Sequence, residues 1–445
     1  MRSISCALIQ AELALLAART VLRYVAPMRR SIVLCAALAL AGCVRPRPDP
    51  KSRIEYLVVV VQENHTFDDH FGAYCTAPAG SAPTCTSGPA CCEAAPATEP
   101  SGAQPVVLDD AANAAYDPSH LAACELAEID GGKMDRFVTG APCSSPNNFV
   151  VADAQVMAPL WSLAAAGALA DRWFQPVVGQ SSSNDMFFAR AGFVFADNGA
   201  TPSSVGAICA IPGSSAEYTD KNLGDLLEGA GATWAFYAQG YGEMLDATKR
   251  NMCPNPDPAC PSQLPIYPCV FDPSDNPFAY YPSTRDRSAT MRDFARFSTD
   301  LDEGHLPQVS FVKAIGFRTE HPGYQNRLSD GLAFVSSVVD RVQGSAYGNR
   351  TLVLVTYDEG GGYFDHVAPP ASPDEHPYGT RVPTLALGPF ASPNTVSHVP
   401  LEHSSIARFV EWNWLGGEGL LGTRDAAVAN LGSLLDPAKT GVAVP

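Results

Sequence analysis

Two adjacent carboxylates, Asp358 and Glu359, come shortly after a continuous apolar run, Leu352 to Val355, and are followed by three glycines and an Asp365-His366 pair. A run that is apolar at successive positions reads as a strand buried on both faces. In an open α/β sheet, ligands gather just beyond the carboxyl ends of the strands. An Asp-Glu pair at that place, with glycines that let the backbone come close to a ligand, is therefore a candidate site. Near the start of the chain the pattern recurs: Tyr56 to Gln62 is a second apolar run and ends in Glu63-Asn64, followed by His65-Thr66-Phe67-Asp68. If the two strands lie parallel in one sheet, Glu63, Asn64, Asp358 and Glu359 meet at one edge. Crowded carboxylates repel, and one or more would be driven to take up a proton. A bound divalent ion removes the repulsion, and oxygen donors suit a hard cation. These four residues are the candidate ligands of one metal ion. Oxygen donors admit calcium, magnesium, manganese or iron, and histidine would favour zinc.

A second chemistry-bearing stretch is Gly179-Gln180-Ser181-Ser182-Ser183-Asn184, which leads into an expected helix over Asp185 to Phe195. A serine entering a helix amino terminus sits beside unpaired N–H groups and the positive end of the dipole, which favours an alkoxide and an anionic ester. The same serines would also serve simply as helix caps. His120, in Asp117-Pro118-Ser119-His120, and His321, in Thr319-Glu320-His321-Pro322, are the other polar landmarks.

The elements that must position these groups alternate along the chain. Helical spacing covers Ala152 to Gly167, Asn222 to Gly229, Gly331 to Val342 with Ser329-Asp330 as its cap, and Ile406 to Trp414 opened by His403-Ser404-Ser405. Strands are expected at Ala170 to Phe174, Thr233 to Gln239, Gln308 to Ala314 and 381–388. This alternation predicts an α/β fold with a mainly parallel sheet covered by helices on both faces. Residues 73–118 and 250–290 are rich in Pro, Ser, Ala and Cys and read as insertions.

The 445 residues suffice for one large α/β domain with insertions, or for two domains. A formal charge of −17 argues against nucleic acid as a partner. It does not exclude an anionic substrate, because a metal and a few histidines make a site locally positive. Met28-Arg29-Arg30, an apolar core to Ala41 and then Leu40-Ala41-Gly42-Cys43 have the form of a secretory signal. Leu-Ala-Gly-Cys resembles the lipobox of bacterial lipoproteins, with Cys43 the lipidated residue. The expected layout is thus an upstream over-extension at 1–27, a signal at 28–42, lipidated Cys43 with a Pro-rich tether to residue 53, and one domain over 54–445. The chain would be an exported lipoprotein of the cell envelope, touching a membrane through its lipid. Ten of the thirteen cysteines lie beyond Cys43 with no CxxC pair, which in an exported protein points to disulfides rather than a zinc site.

Taken together, the blocks resemble a known family. ENHTFDDHFG (63–72) is similar to the ENRSFDHYFG opening of the phosphoesterases that include bacterial phospholipases C and related acid phosphatases. The likeness continues through Asp117 to His120, Gly132 to Asp135, Gly179-x-Ser181-x-x-Asn184, Glu320 to Pro322, TYDEGGGYFDHVAPP, RVPTL and VSHVPLEHSSIARFVE, in that order over about 54–415. The resemblance implies an alkaline-phosphatase-like α/β/α sandwich. It also implies Ser181 as the nucleophile that forms a phosphoseryl intermediate, and Glu63, Asn64, Asp358 and Glu359 as the metal and phosphate holders. By the same resemblance Asn64, Asn184, His120 and His321 contact the substrate, and His120, His321 and His366 are catalytic. Ser183 stands where family members commonly have proline. The substrate would be a small phosphate monoester or a phospholipid, and the TYDEGGGYFDHV version of the motif looks closer to the acid-phosphatase side. A lipoprotein that binds an anion or metal without turnover is the reading of another class. No Cys-x-Pro-x-Arg sequence of the sulfatase type occurs.

Overall fold

The central strand, β1 (Tyr56–Gln62), is buried at every position. Its side chains alternate between two apolar layers, as the period of a strand requires. The structure is a computed structural model that describes residues 46–210 and 214–445. The upstream segment, the expected signal and Cys43 lie outside the described residues. The main sheet adds β2 (Ala168–Ala170), β3 (Trp234–Ala238), β4 (Met291–Asp293), β5 (Val309–Lys313), β6 (Thr351–Tyr357), β7 (Thr384–Leu387) and β8 (Thr395–Ser397). Their order is β8-β2-β7-β6-β1-β5-β3-β4.

Every neighbouring pair is parallel except those of β7, which runs against both β6 and β2. The reason lies in the connection. Between β6 and β7 the chain carries the Asp358 to Arg381 loop and no helix. A parallel return needs a long crossover, usually helical, whereas an antiparallel one does not.

The helices that cover the sheet include α1 (Ala154–Ala166), α2 (Ser181–Arg190), α3 (Leu223–Ala230), α4 (Leu328–Gln343) and α5 (Ser404–Val410). Leu57, Val59 and Val61 of β1 pack in one apolar layer with Met186 and Phe188 of α2, Leu223 and Leu227 of α3, and Ile406, Phe409 and Val410 of α5. Tyr56, Val58 and Val60 pack in the other with Met157 and Leu160 of α1 and with Leu332, Val335 and Val339 of α4. Full burial of one such aliphatic side chain stabilises by roughly 1.5–3 kcal/mol, so each layer fixes the sheet register firmly. The result is the three-layer α/β/α sandwich expected from the alternation.

Several boundaries differ from the sequence expectation. α2 begins at Ser181 rather than Asp185. Ser183 turns its hydroxyl back to donate to the Gln180 carbonyl at 2.7 Å, so the serines sit inside the first turn instead of ahead of it. α4 begins at Leu328, before the expected Ser329-Asp330 cap, and Asp330 instead pairs with Arg327 one turn back. The strand expected at 170–174 is Ala168–Ala170, while Trp173 and Phe174 make only single bridges to Leu401 and Arg381. After Val410 the helix α5 widens into a π turn, Glu411–Leu415. The ten cysteines form five disulfides: Cys75–Cys92, Cys85–Cys91, Cys124–Cys143, Cys209–Cys253 and Cys260–Cys269. Four of them lie in or close to the two expected insertions.

Candidate active site

Register brings the two acidic motifs together. Gln62 lies opposite Tyr357 and Val61 opposite Lys313, so Glu63, Asp358 and the end of β5 meet at one edge of the sheet. Asn64 turns the chain in the left-handed region (φ 65°), a conformation asparagine tolerates better than most residues. Its backbone N–H donates to Asp358 Oδ1 at 3.1 Å, and its side-chain Oδ1 accepts from the Ser181 hydroxyl at 3.1 Å. The glycine run makes this approach possible. At Gly361 (φ 68°) a Cβ would run into the Asn64 carbonyl, and at Gly362 (φ 74°) into that of Ser119. Any larger residue would push the loop off both motifs.

Ser181 is the first residue of α2, with its side chain on the floor of a cavity of about 380 Å³. His120, His321, Glu63, Tyr267, Asp275 and Tyr324 are among the lining residues. Glu63 is held on three sides: Tyr267 donates to Oε2 at 2.5 Å, Thr319 donates to Oε2 at 3.0 Å, and Lys313 Nζ lies 2.7 Å from Oε1. The Lys313 ammonium is also 3.9 Å from Asp185 and 4.0 Å from Asp358.

One ammonium is too little charge for this cluster. Burial alone would raise the Glu63 pKa, yet Lys313 beside it holds it below the ordinary value. Asp358 is pushed up to about 6 by burial and by Glu63, against the pull of Lys313. Burial raises Asp185 and Asp275 well above the carboxylate range, and burial with neighbouring Asp358 does the same to Glu359. Asp358 Oδ2, Glu359 Oε1, Asp185 Oδ2 and Asn64 Nδ2 are buried with no hydrogen-bond partner. Orphaned buried oxygens on crowded acids are the environment in which a divalent cation restores balance. Of the four expected ligands, Asp358 and Glu359 each keep one buried oxygen free to receive a cation, whereas Glu63 is engaged by Lys313, Tyr267 and Thr319 and Asn64 Oδ1 by Ser181.

Of the residues expected from sequence, Glu63, Asn64, Ser181, His120, His321, Asp358 and Glu359 are brought together. Two are not. Asn184 is turned into the nucleophile loop: its Oδ1 accepts from the Val177 N–H at 3.1 Å and its Nδ2 donates to the Gly179 carbonyl at 2.7 Å. It shapes the loop that presents Ser181 and does not line the cavity. His366 is bound instead to Asp68 (2.8 Å) and Glu93 (2.7 Å), in a network that includes the Arg381 pairs with Asp68 and Asp365.

Lys313, Asp185, Tyr267, Asp275 and the buried Glu125 were not expected. Glu125 accepts from the Gly179 N–H at 2.9 Å and from Gln175 at 2.8 Å, while Gln175 accepts from the Gly360 N–H at 2.8 Å. That chain of bonds ties the serine loop to the glycine loop. Lys313 carried a signal, being a lysine at the end of an apolar strand, where an unpaired charge is costly. Tyr267 and Asp275 carried none, because their insertion has no periodicity.

The model of the Phosphoesterase family matches residues 54–415. The chain belongs to the Phosphoesterase family. It is 33% identical over 146 residues to the non-specific phospholipase C4 of Arabidopsis thaliana, a match covering 26% of this chain and 27% of that one. To the non-hemolytic phospholipase C of Burkholderia pseudomallei it is 23% identical over 417 residues, covering 80% and 55%. The chain thus spans a quarter to about half the length of these two relatives. Among solved structures, a protein in the alkaline phosphatase superfamily from Vibrio parahaemolyticus is similar with a TM-score of 0.39 and 10% identity, covering 88% of this chain and 74% of that one.

Proposed function

We propose that this family member is a metal-dependent phosphomonoesterase of the acid-phosphatase type, with Ser181 as its nucleophile. The observation that carries this reading is the placement of Ser181 at the floor of a small polar cavity. Its hydroxyl donates to Asn64 Oδ1, and His120 and His321 are among the cavity walls. Phosphoryl transfer asks chiefly for positioning and charge neutralisation. In the reaction the Ser181 oxygen bonds to phosphorus, the alcohol leaves with a proton, and water then releases phosphate from the serine. The positive end of the helix dipole at this amino terminus favours negative charge on the transferred group. A divalent ion at Glu63, Asn64, Asp358 and Glu359 would polarise the phosphoryl group and lower the serine pKa. The cavity volume and the polar residues Asp117, Gln180, Asp272 and Asp275 along its walls favour a small hydrophilic ester over two acyl chains.

A phospholipase C reading is favoured by a different observation. Leu121 (44% exposed) and Ile266 (38%) directly follow or precede the lining residues His120 and Tyr267, and Tyr324 is itself 37% exposed at the cavity. Exposed apolar groups at a cavity mouth suit contact with lipid, and the two relatives carry phospholipase C names. Five disulfides are in keeping with export, and a lipidated Cys43 would hold the domain at an envelope membrane.

The deciding experiment compares release of nitrophenol from p-nitrophenyl phosphate and from p-nitrophenylphosphorylcholine, with and without chelator. Faster turnover of the monoester, abolished by chelator, is expected. Preference for the choline diester would move the assignment to phospholipase C. No turnover of either with divalent metal supplied would leave a binding protein.

A further inference from the structure

Gln62 and Tyr357, the last residues of β1 and β6, directly precede Glu63 and Asp358, and Glu320 directly precedes His321. Successive side chains of a strand point to opposite sides, so a residue before a site residue turns away from the cavity. These three meet behind it. Gln62 Nε2 donates to Glu320 Oε1 at 2.9 Å, and the Tyr357 hydroxyl donates to Oε2 at 2.9 Å. Backbone bonds stitch the same ends together: the Glu63 N–H donates to the Thr319 carbonyl at 2.8 Å, and the Asp358 N–H to the Gln62 carbonyl at 3.0 Å. Gln62, Tyr357 and Glu320 are fully buried, and none of them lines the Ser181 cavity.

The backbone of Glu320 is held as firmly as its side chain. It turns through the left-handed region (φ 74°), which a glutamate adopts only where its surroundings impose it. Its carbonyl accepts from Asn113 Nδ2 at 3.0 Å and from His65 Nε2 at 3.1 Å. α4 leaves the room for it, since a Cβ on Gly331 would run into Glu320 Cγ. Charge is balanced within the group. His70 stands between two carboxylates, Nδ1 2.5 Å from Asp69 and Nε2 3.0 Å from Glu320. Burial works against its charge, but Asp69 and Glu320 beside it raise its pKa to about 9. The ring is therefore a cation at neutral pH, and His65, Asp69 and His70 form a closed ionic network and not a place for a metal.

We propose that Glu320 is a positioning residue of the catalytic centre. Its carboxylate ties the strand ends that carry Glu63 and Asp358 to the turn that carries His321, and so sets the distances between them. It touches neither substrate nor metal. This role presupposes that the Ser181 cavity is the site of phosphoryl transfer, whichever ester is hydrolysed. Only donors face the carboxylate, from Gln62 on one oxygen and from Tyr357 and His70 on the other. An amide in its place would turn its own N–H groups towards a donor, and at least one tie would be lost.

The test is the steady-state kinetics of Glu320→Gln and Tyr357→Phe on whichever of the two nitrophenyl esters the wild type turns over. Glu320→Gln keeps the size of the side chain and should lower kcat by about ten- to a hundredfold, the scale of a misplacement of up to an ångström. KM and bound metal should stay within about twofold of wild type, because substrate and metal lose no contact. Tyr357→Phe removes one hydroxyl and should lower kcat by about three- to tenfold, the scale of one hydrogen bond. It carries the test should Glu320→Gln not fold. Combined, the two should cost less than the product of their separate losses, since they break the same link. A merely structural role would lower the melting temperature and leave kcat of the folded protein unchanged. A kcat within about twofold of wild type in folded Glu320→Gln, or in Tyr357→Phe where the first does not fold, would overturn the proposal and leave the hydrolase reading intact. No turnover by the wild type with divalent metal supplied would overturn both.

Discussion

Two buried acidic clusters grow out of the same two motifs, and they differ in how their charge is balanced. In the one formed by Asp68, Asp365 and Glu93, Arg381 pairs with Asp68 and Asp365, His366 with Asp68 and Glu93, and Arg172 with Glu93. In the one formed by Glu63, Asp185, Asp275, Asp358 and Glu359, the permanent cation in contact is Lys313. The first cluster is a closed network that fixes the loop after β6. The second leaves buried oxygens of Asp185, Asp358 and Glu359 without partners, and its members Glu63 and Asp275 line the Ser181 cavity. Residue type alone does not separate them, since both are Asp, Glu and a basic group. The difference lies in the balance of charges and in access to the cavity, and it marks the second as the place where a cation and a substrate belong.

The largest expected effect on this contrast comes from the serine that faces the open cluster. Ser181→Ala should lower turnover by about a thousandfold or more, as loss of a nucleophile does, while metal content stays at the wild-type value. Full activity in that variant would move the nucleophile to Ser182 or Ser183.

Replacing the basic residue of each cluster sharpens the comparison. Lys313→Met and Arg381→Met should each destabilise the metal-free protein by about 3–5 kcal/mol, because each leaves buried carboxylates without a partner. Adding a divalent ion should recover much of the loss in the Lys313 variant and none in the Arg381 variant. Thermal melts with and without metal distinguish the two, and equal recovery would erase the distinction drawn here.

A smaller effect is expected from the insertion that supplies Glu93. Replacing Cys75 and Cys92 by serine should cost about 2–4 kcal/mol through loss of a constraint on the unfolded chain. Turnover of the folded protein should change much less than in Ser181→Ala.

The smallest effect is a pH dependence. His366 is partly desolvated by burial, but Asp68 beside it raises its pKa from 6.5 to about 9. Its folded value lies above its unfolded one, so the stability from its charged form is complete below about 6.5 and is lost as pH rises towards 9. Melting temperature followed from pH 6 to 10 should decline more steeply in the wild type than in His366→Gln. Parallel curves would place the charge elsewhere.

Much of this was legible in the sequence. The apolar runs ending in Glu63-Asn64 and Asp358-Glu359 gave the two central strands and the edge on which they meet, because a fully buried strand needs apolar residues on both faces. The antiparallel β7 was not legible, since its orientation depends on a loop without a helix and not on its own residues. Ser181 was legible as a helix-entry residue, although the helix took in the serines rather than starting after them. Asn184 and His366 lie in the right motifs but serve the loops that carry the site. Sequence proximity to a functional residue does not say which way a side chain turns. Tyr267 and Asp275 reach the cavity from a Cys- and Pro-rich insertion held by disulfides, where no periodic pattern predicts direction.

The contrast between the clusters is tested most directly by measuring bound metal in Asp358→Asn and Asp365→Asn after identical stripping and reloading. Both aspartates are fully buried, both follow β6, and each loses one negative charge on substitution. Asp358→Asn should lose bound metal and turnover together, while Asp365→Asn should keep its metal whatever its stability. Metal retained in Asp358→Asn, or lost to the same extent in both, would contradict the assignment of the open cluster as the metal centre.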